Sequence, residues 1–478
     1  MEKDGAGRNT GTFDLTEGGI VRKLLVVAVP IMGTQFVQMA YNLTDMFWLG
    51  RVGSGAVAAA GAAGMYMWLS FGFILIGRMG AEIGVAQSLG RGDKKAALAF
   101  AQNALFMGAA TGVVFALCSI VLRRSLIGFF RFREADVASD AARYLLVVSF
   151  GMPATFISNC LIGVFNGSGN SRTPFILGGA GLLLNVVLDP FFIFTLNMGI
   201  TGAAAATLIS QVLVALLTLW GVVFYRGRPF EHFSFRIRPE KSRMFSILTW
   251  SLPIGVESIA FCLLAMATSR VETSFGADAV AVSKIGSQIE SLSWLIGGGF
   301  SSAMVAFIGQ NYGAGKWDRI ARSVRLSLVI MTVWGVLVAL FLWSLGGFVF
   351  SLFLPDPALT RLGVIYLRIF AFAQLPMNLE GVGAGAFKGT GRTIPPSLAS
   401  VLANLTKPVL AYALSRTSLG LYGVWAAVSI VTVIRGLWIC LWYFLSERKR
   451  RPGQRTSLYL LYVSGLPEIL ELFNNFSY

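Results

Sequence analysis

Residues 24–47 read LLVVAVPIMGTQFVQMAYNLTDMF, an apolar run interrupted by Gln35, Gln38, Asn42 and Asp45. Steps of three, four and three residues put these four on one face of a helix. Tyr41 lies one turn before Asp45 on nearly the same side. One amide in such a run is packing glue between helices; four polar groups ending in a carboxylate form a cavity wall. A second set lies in LLNVVLDPFF, where Asn185 and Asp189 are spaced i, i+4 and Pro190 follows to loosen the backbone. A third is GAAAATLISQ, which offers Thr207 and Ser210 among residues small enough for close helix packing. The chemistry of this inventory is cation binding. Burial disfavours two like charges, so a pair of carboxyls shut away from water takes up a proton. The same oxygens, with Asn185 and Thr207, form a hard donor set for Na+.

The rest of the sequence says what must position these groups. The chain has 478 residues, of which 55% are hydrophobic and 13% charged, with mean hydropathy +0.69. A soluble domain carries about 25% charged residues, so this is a polytopic membrane protein. Twelve apolar runs are long enough to span a bilayer: 24–47, 57–80, 98–122, 141–164, 176–196, 201–225, 246–269, 280–307, 325–352, 362–387, 395–415 and 421–445. All read as helices, because alternating short strands of the barrel type are absent. Lys and Arg concentrate in the connections on the N-terminal side, as in GRGDKK, RGRPFEHFSFRIRPEKSR and ERKRRPGQR. That bias predicts both termini in the cytoplasm; the expected location is the plasma (inner) membrane. The bias also explains the net charge of +16 as a topology signal rather than a nucleic-acid surface. The N-terminal stretch MEKDGAGRNTGTFDLTEGG is polar, carries no signal peptide and reads as a flexible tail.

The chain repeats itself. The stretch from Gly55 matches that from Asp278 at an offset of 223, pairing Gln87 with Gln310 and Gly92 with Gly315. GVFNGSGNSRTP matches GAFKGTGRTIPP one residue short of that offset. Two six-span lobes are therefore expected, related as parallel repeats and built for alternating access. The layout is a cytoplasmic tail (1–23), an N-terminal lobe (24–225), an inter-lobe loop (226–245), a C-terminal lobe (246–446) and a basic cytoplasmic tail (447–478). Its end, 456–478, is open between an interfacial segment and disorder.

The acidic set is not repeated: Thr268 stands at the place of Asp45, and Lys407 near that of Asp189. The second half has its own cavity candidates, Glu257, Lys284, Gln288 and Glu380, with Glu290 nearby. Lys284 is expected to neutralise Glu257 or Glu290. Catalysis finds no support. Cys118, Cys160, Cys262 and Cys440 are dispersed in apolar stretches, His232 is the single histidine, and no nucleophile elbow or nucleotide loop is present.

Taken together, PIMGTQFVQMAYNLTDMFWLGRVG, GVAQSLGRGDKKAA, FNGSGNSRTP, LLNVVLDP and IGQNYGAGKWDRI resemble the multidrug and toxic compound extrusion (MATE) family. The likeness spans residues 14 to 446, and its first and fourth motifs resemble the DinF-like branch. It implies a cation-coupling site at Asp45, Asn185, Asp189 and Thr207, supported by Tyr41 and Tyr144, with Asn159 a further candidate. Asn166 replaces an arginine common in the family, and Glu257 and Glu380 do not fit the acidic spacing of the NorM-like branch. The expected function is H+- or Na+-coupled antiport that exports organic cations or other amphipathic xenobiotics from a monomer. No cofactor, nucleic acid or enzymatic activity is expected. The alternatives are a lipid-linked saccharide flippase of the same superfamily, whose pyrophosphate would call for Arg78, Lys284 or Lys407, and a membrane-embedded enzyme.

Overall fold

The computed structural model describes residues 13–450, except 133, 226, 236–237 and 354–355. The side chains of 54, 277 and 448–450 also lie outside the described part, as do most of the two predicted tails. Among the described residues there is no strand, and twelve helices are long and apolar enough to cross a membrane.

The helices are α1 (Ile20–Val52), α2 (Ser54–Gly90), α3 (Lys94–Gly128), α4 (Ala135–Gly167), α5 (Arg172–Pro190) and α6 (Gly199–Val223). They continue as α7 (Lys241–Thr273), α8 (Ala277–Gly313), α9 (Trp317–Ser344), α10 (Gly346–Phe353), α11 (Pro357–Gly389), α12 (Ile394–Ser415) and α13 (Gly420–Arg450). Most exceed their apolar runs, because polar residues at either end continue the same hydrogen-bonded ladder beyond the lipid. Two spans depart from the expected form. The run 325–352 is not one helix: α9 stops at Ser344 and the short α10 starts at Gly346, where two consecutive glycines weaken the helix. The fifth span leaves α5 at Pro190 and winds one π-helical turn, Phe191–Thr195. Proline lacks the N–H that would continue the α ladder.

The chain forms two compact units, with boundaries inside α1 and α7. One holds Val26–Gly255; the other holds Glu17–Leu25 and the described residues from Val256 onward. In the first, α4 packs against α2, α3 and α6. Close approach depends on Gly163 and Gly167, where a Cβ would lie 2.3 Å from the Arg78 carbonyl oxygen and 2.6 Å from that of Glu82. In the second, α11 packs against α8, α9 and α13. Gly385 plays the part of Gly163 there, its Cβ position 2.7 Å from the Ser301 carbonyl oxygen.

The internal repeat is written in the backbone. α2 and α8 are both 37 residues long, and α4 and α11 are both 33. Left-handed glycines recur in pairs at the helix junctions: Gly53 with Gly276, Gly92 with Gly315, Gly169 with Gly391 and Gly199 with Gly420. The polar N-terminal stretch is not wholly a loose tail. Leu15 is fully buried and the Phe13 N–H donates to the Ser168 carbonyl at 3.0 Å.

Candidate functional site

The first unit brings four helices, α1, α4, α5 and α6, to one buried polar cluster. α1 is anchored in its N-terminal half by Ser171 Oγ, which donates to the Val27 carbonyl at 2.8 Å, and by Gly33, which lies against Phe175. Farther along, the Tyr41 hydroxyl donates to the Thr207 carbonyl at 3.3 Å. Thr207 Oγ1 in turn donates to Asp45 Oδ2 at 3.3 Å. From α5, Asn185 Nδ2 donates to Asp189 Oδ1 at 3.2 Å, as the i, i+4 spacing requires. The Asp45 carboxyl lies beside the Asp189 carboxyl and the Asn185 carboxamide, and Tyr144 of α4 faces Thr207.

Asn185 and Asp189 are completely buried, and Thr207 is 1% exposed. Asp45 is half-buried as a residue, yet its Oδ1 is sealed from solvent. Asp45 Oδ1, Asn185 Oδ1 and Asp189 Oδ2 accept no hydrogen bond among the described residues. A buried acceptor without a donor is costly, and here three sit on side chains that touch one another. An arrangement rich in acceptors and poor in donors is complementary to a proton or a small hard cation. An apolar wall of Leu49, Tyr144, Ile193 and Ala203 backs it, and Trp48 meets Phe194 of the π turn edge-on, centroids 6.0 Å apart.

Other α1 candidates lie apart. Gln38 and Asn42 are exposed and Gln35 is half-buried, three turns from Asp45. Asn159 is about 22 Å along α4 from Tyr144 at 1.5 Å per residue. It accepts from Arg78 at 3.4 Å and donates to the Thr155 carbonyl at 2.9 Å. This also gives Arg78 a local partner.

In the second unit the expected pairing of Lys284 with Glu257 or Glu290 does not occur. Glu257 accepts from Ser397 Oγ at 2.7 Å and sits 3.9 Å from Lys388 Nζ, while Lys284 is exposed. The helical turns that bring α12 and the end of α11 to Glu257 put a nearer ammonium there. Gln288 is half-buried on α8. Glu290 lies beside Tyr366, which occupies the place of Tyr144 in the repeat. Glu380 is held by Arg435, whose Nε and Nη2 both lie 2.8 Å from Oε2. Arg435 and Asn404 are functional-looking residues that the sequence reading passed over. The signal was available: Arg435 is a lone cation in the apolar run VTVIRGLW. Glu272 accepts from Trp425 Nε1 at 2.7 Å and from Ser283 Oγ. A groove of about 520 Å³, walled by Trp343, Phe372, Ile430 and Ile434 with Arg368, opens on the same unit, remote in sequence from the carboxyl cluster.

The comparisons agree with this architecture. Residues 30–191 and 253–413 match the MatE family model, one match in each half. The probable multidrug resistance protein NorM of Thermotoga maritima is 28% identical over 438 residues, 90% of this chain and 93% of that protein. The multidrug resistance protein PmpM of Pseudomonas aeruginosa is 25% identical, over 77% of this chain and 78% of its own length. A crystal structure of MATE in the bent conformation superposes with TM-score 0.85 at 23% identity, covering 92% of this chain and 98% of that one. With twelve membrane-length helices, a polar cluster inside the first unit and a family match in both halves, the chain belongs to the MATE family of multidrug efflux transporters.

Proposed function

We propose that the protein is a cation-coupled antiporter of the DinF-like branch, with its coupling site at Asp45, Asn185, Asp189 and Thr207. The observation that carries this reading is the set of three sealed, unpartnered oxygens on Asp45, Asn185 and Asp189. The multidrug resistance names of the relatives support a xenobiotic substrate, with organic cations and other amphipathic compounds as the class. The coupling ion is H+ or Na+. The outward-open protein takes up the ion between Asp45 and Asp189. Binding cancels one negative charge of the pair and with it their mutual repulsion, draws α1 and α5 together and releases substrate outward. The loaded protein turns inward, gives up the ion and accepts substrate again. One charge moving inward across 100 mV contributes about 2.3 kcal/mol. At about 1.4 kcal/mol per tenfold, that sustains roughly a fiftyfold gradient when substrate movement does not cancel the charge. The protein works as a monomer in the plasma membrane, with both termini in the cytoplasm.

The test is efflux of a fluorescent organic cation from proteoliposomes, with ΔpH and ΔNa+ imposed separately and Asp45→Asn beside the wild type. Efflux driven by one gradient and lost in Asp45→Asn is expected. Well-folded protein that responds to neither gradient overturns the proposal for that substrate.

A further inference from the structure

A second polar cluster is buried in the other unit, and its charge is opposite. Glu380 is engaged by Arg435 through two contacts of 2.8 Å, both side chains less than 15% exposed. Arg435 Nη1 also donates to Asn404 Oδ1 at 3.3 Å. One turn farther along α12 lies Lys407, only 8% exposed and in electrostatic reach of both Arg435 and Glu380. Its neighbour is an aromatic face: Nζ stands 5.5 Å from the centroid of Phe261 on α7. Among the described residues no carboxylate, hydroxyl or carbonyl accepts from Nζ. Two cations thus share one carboxylate, and that carboxylate is already bound to Arg435.

A buried ammonium without an acceptor is unfavourable unless something else brings one. A π face is a weak substitute for an oxygen. Phe261 itself is 37% exposed, so the aromatic side of the site is open beside a mostly buried Lys407. The complementary ligand has an oxyanion to take hydrogen bonds from Lys407 and a flat apolar body to lie on Phe261.

We propose that Lys407, with Phe261 and the Arg435–Glu380 pair behind it, is an oxyanion subsite that selects amphiphiles bearing a carboxylate or phosphate. It deepens the export reading by naming the residues that hold the anionic group of such an amphiphile, and it rests on that reading only in treating the chain as a solute carrier.

The test uses the full-length protein in phosphatidylcholine nanodiscs and two dyes that differ in one group. Rhodamine 110 has a free carboxylate; rhodamine 123 is its methyl ester. Binding is read by fluorescence polarisation without any ion gradient, so failure here and failure of coupled export are separate results. Rhodamine 110 is expected to bind roughly tenfold more tightly than rhodamine 123, the scale of a hydrogen bond to a charged group. Lys407→Met collapses that ratio to about one, and Lys407→Arg restores most of it. Equal affinities for the two dyes in the wild type overturn the proposal even if a variant fails to fold. So does a ratio that survives Lys407→Met. Repeating the measurement in nanodiscs containing phosphatidylglycerol, whose phosphate lacks the balancing choline cation, identifies the source: loss of the rhodamine 110 preference makes an anionic lipid headgroup the occupant, and its persistence makes the occupant a soluble amphiphile.

Discussion

Two residues show how differently buried charge is handled in the two halves. Asp45 has a hydroxyl donor, Thr207 Oγ1, at 3.3 Å and an oxygen with none. Removing the donor should weaken the site without emptying it. Thr207→Val is expected to slow gradient-driven efflux about three- to tenfold, the size of one ordinary hydrogen bond at this 3.3 Å length, while Thr207→Ser stays near wild type. Initial efflux rates in proteoliposomes decide the matter, and a Thr207→Val protein at full rate would remove Thr207 from the site. Glu380, by contrast, holds two nitrogens of Arg435 on its Oε2. Glu380→Gln leaves a mostly buried guanidinium uncompensated, and a stability loss of about 3–5 kcal/mol is expected. Glu380→Leu with Arg435→Leu should recover much of it, because neither charge is then stranded. Thermal unfolding of the purified variants provides the comparison. The sequence made Asp45, Asn185 and Asp189 legible because helical spacing alone puts polar groups on common faces. It did not reveal that Lys388 rather than Lys284 meets Glu257, because that depends on which helix comes alongside, and no periodicity encodes it.

At the level of helices, close contact is set by absent side chains. Gly163 and Gly178 are both helical glycines, but a Cβ at Gly163 would meet a backbone oxygen at 2.3 Å, whereas one at Gly178 has nothing within 4 Å. Backbone cannot step aside as a flexible side chain does. Gly163→Ala should therefore force α2 and α4 apart and cost about 1–3 kcal/mol. Gly178→Ala should be neutral or stabilising by up to about 1 kcal/mol through helix propensity. Melting temperatures in one detergent test the pair, and equal shifts would contradict the packing account. Helix existence was readable from apolar length, and the loosened end of α5 was readable from Pro190. The break between α9 and α10 was not read, although Gly346 and Gly347 mark it. Hydropathy continues unchanged across the glycines, so a search for apolar length runs straight through the break.

For the molecule as a whole, the twofold repeat was visible in matched motifs, and the paired left-handed glycines carry it into the backbone. Which side of the membrane each end occupies rests on the distribution of Lys and Arg. With Cys118 replaced by Ser, Lys95→Cys should react with a membrane-impermeant maleimide only in inside-out vesicles, and Glu134→Cys only in right-side-out cells. Both positions are exposed. The reverse pattern would invert the topology. The C-terminal stretch 456–478 lies outside the described residues, and the motifs shared with the family stop before it.

The bond between Thr207 and Asp45 joins residues 162 positions apart. Ribosomes add about 5–20 residues per second, so roughly 8–30 s separate the synthesis of the two. During that interval the first helix must enter the bilayer with a carboxyl whose donor does not yet exist. The carboxyl proposed to bind a cation in the finished transporter thus leaves the first span without that donor during biogenesis.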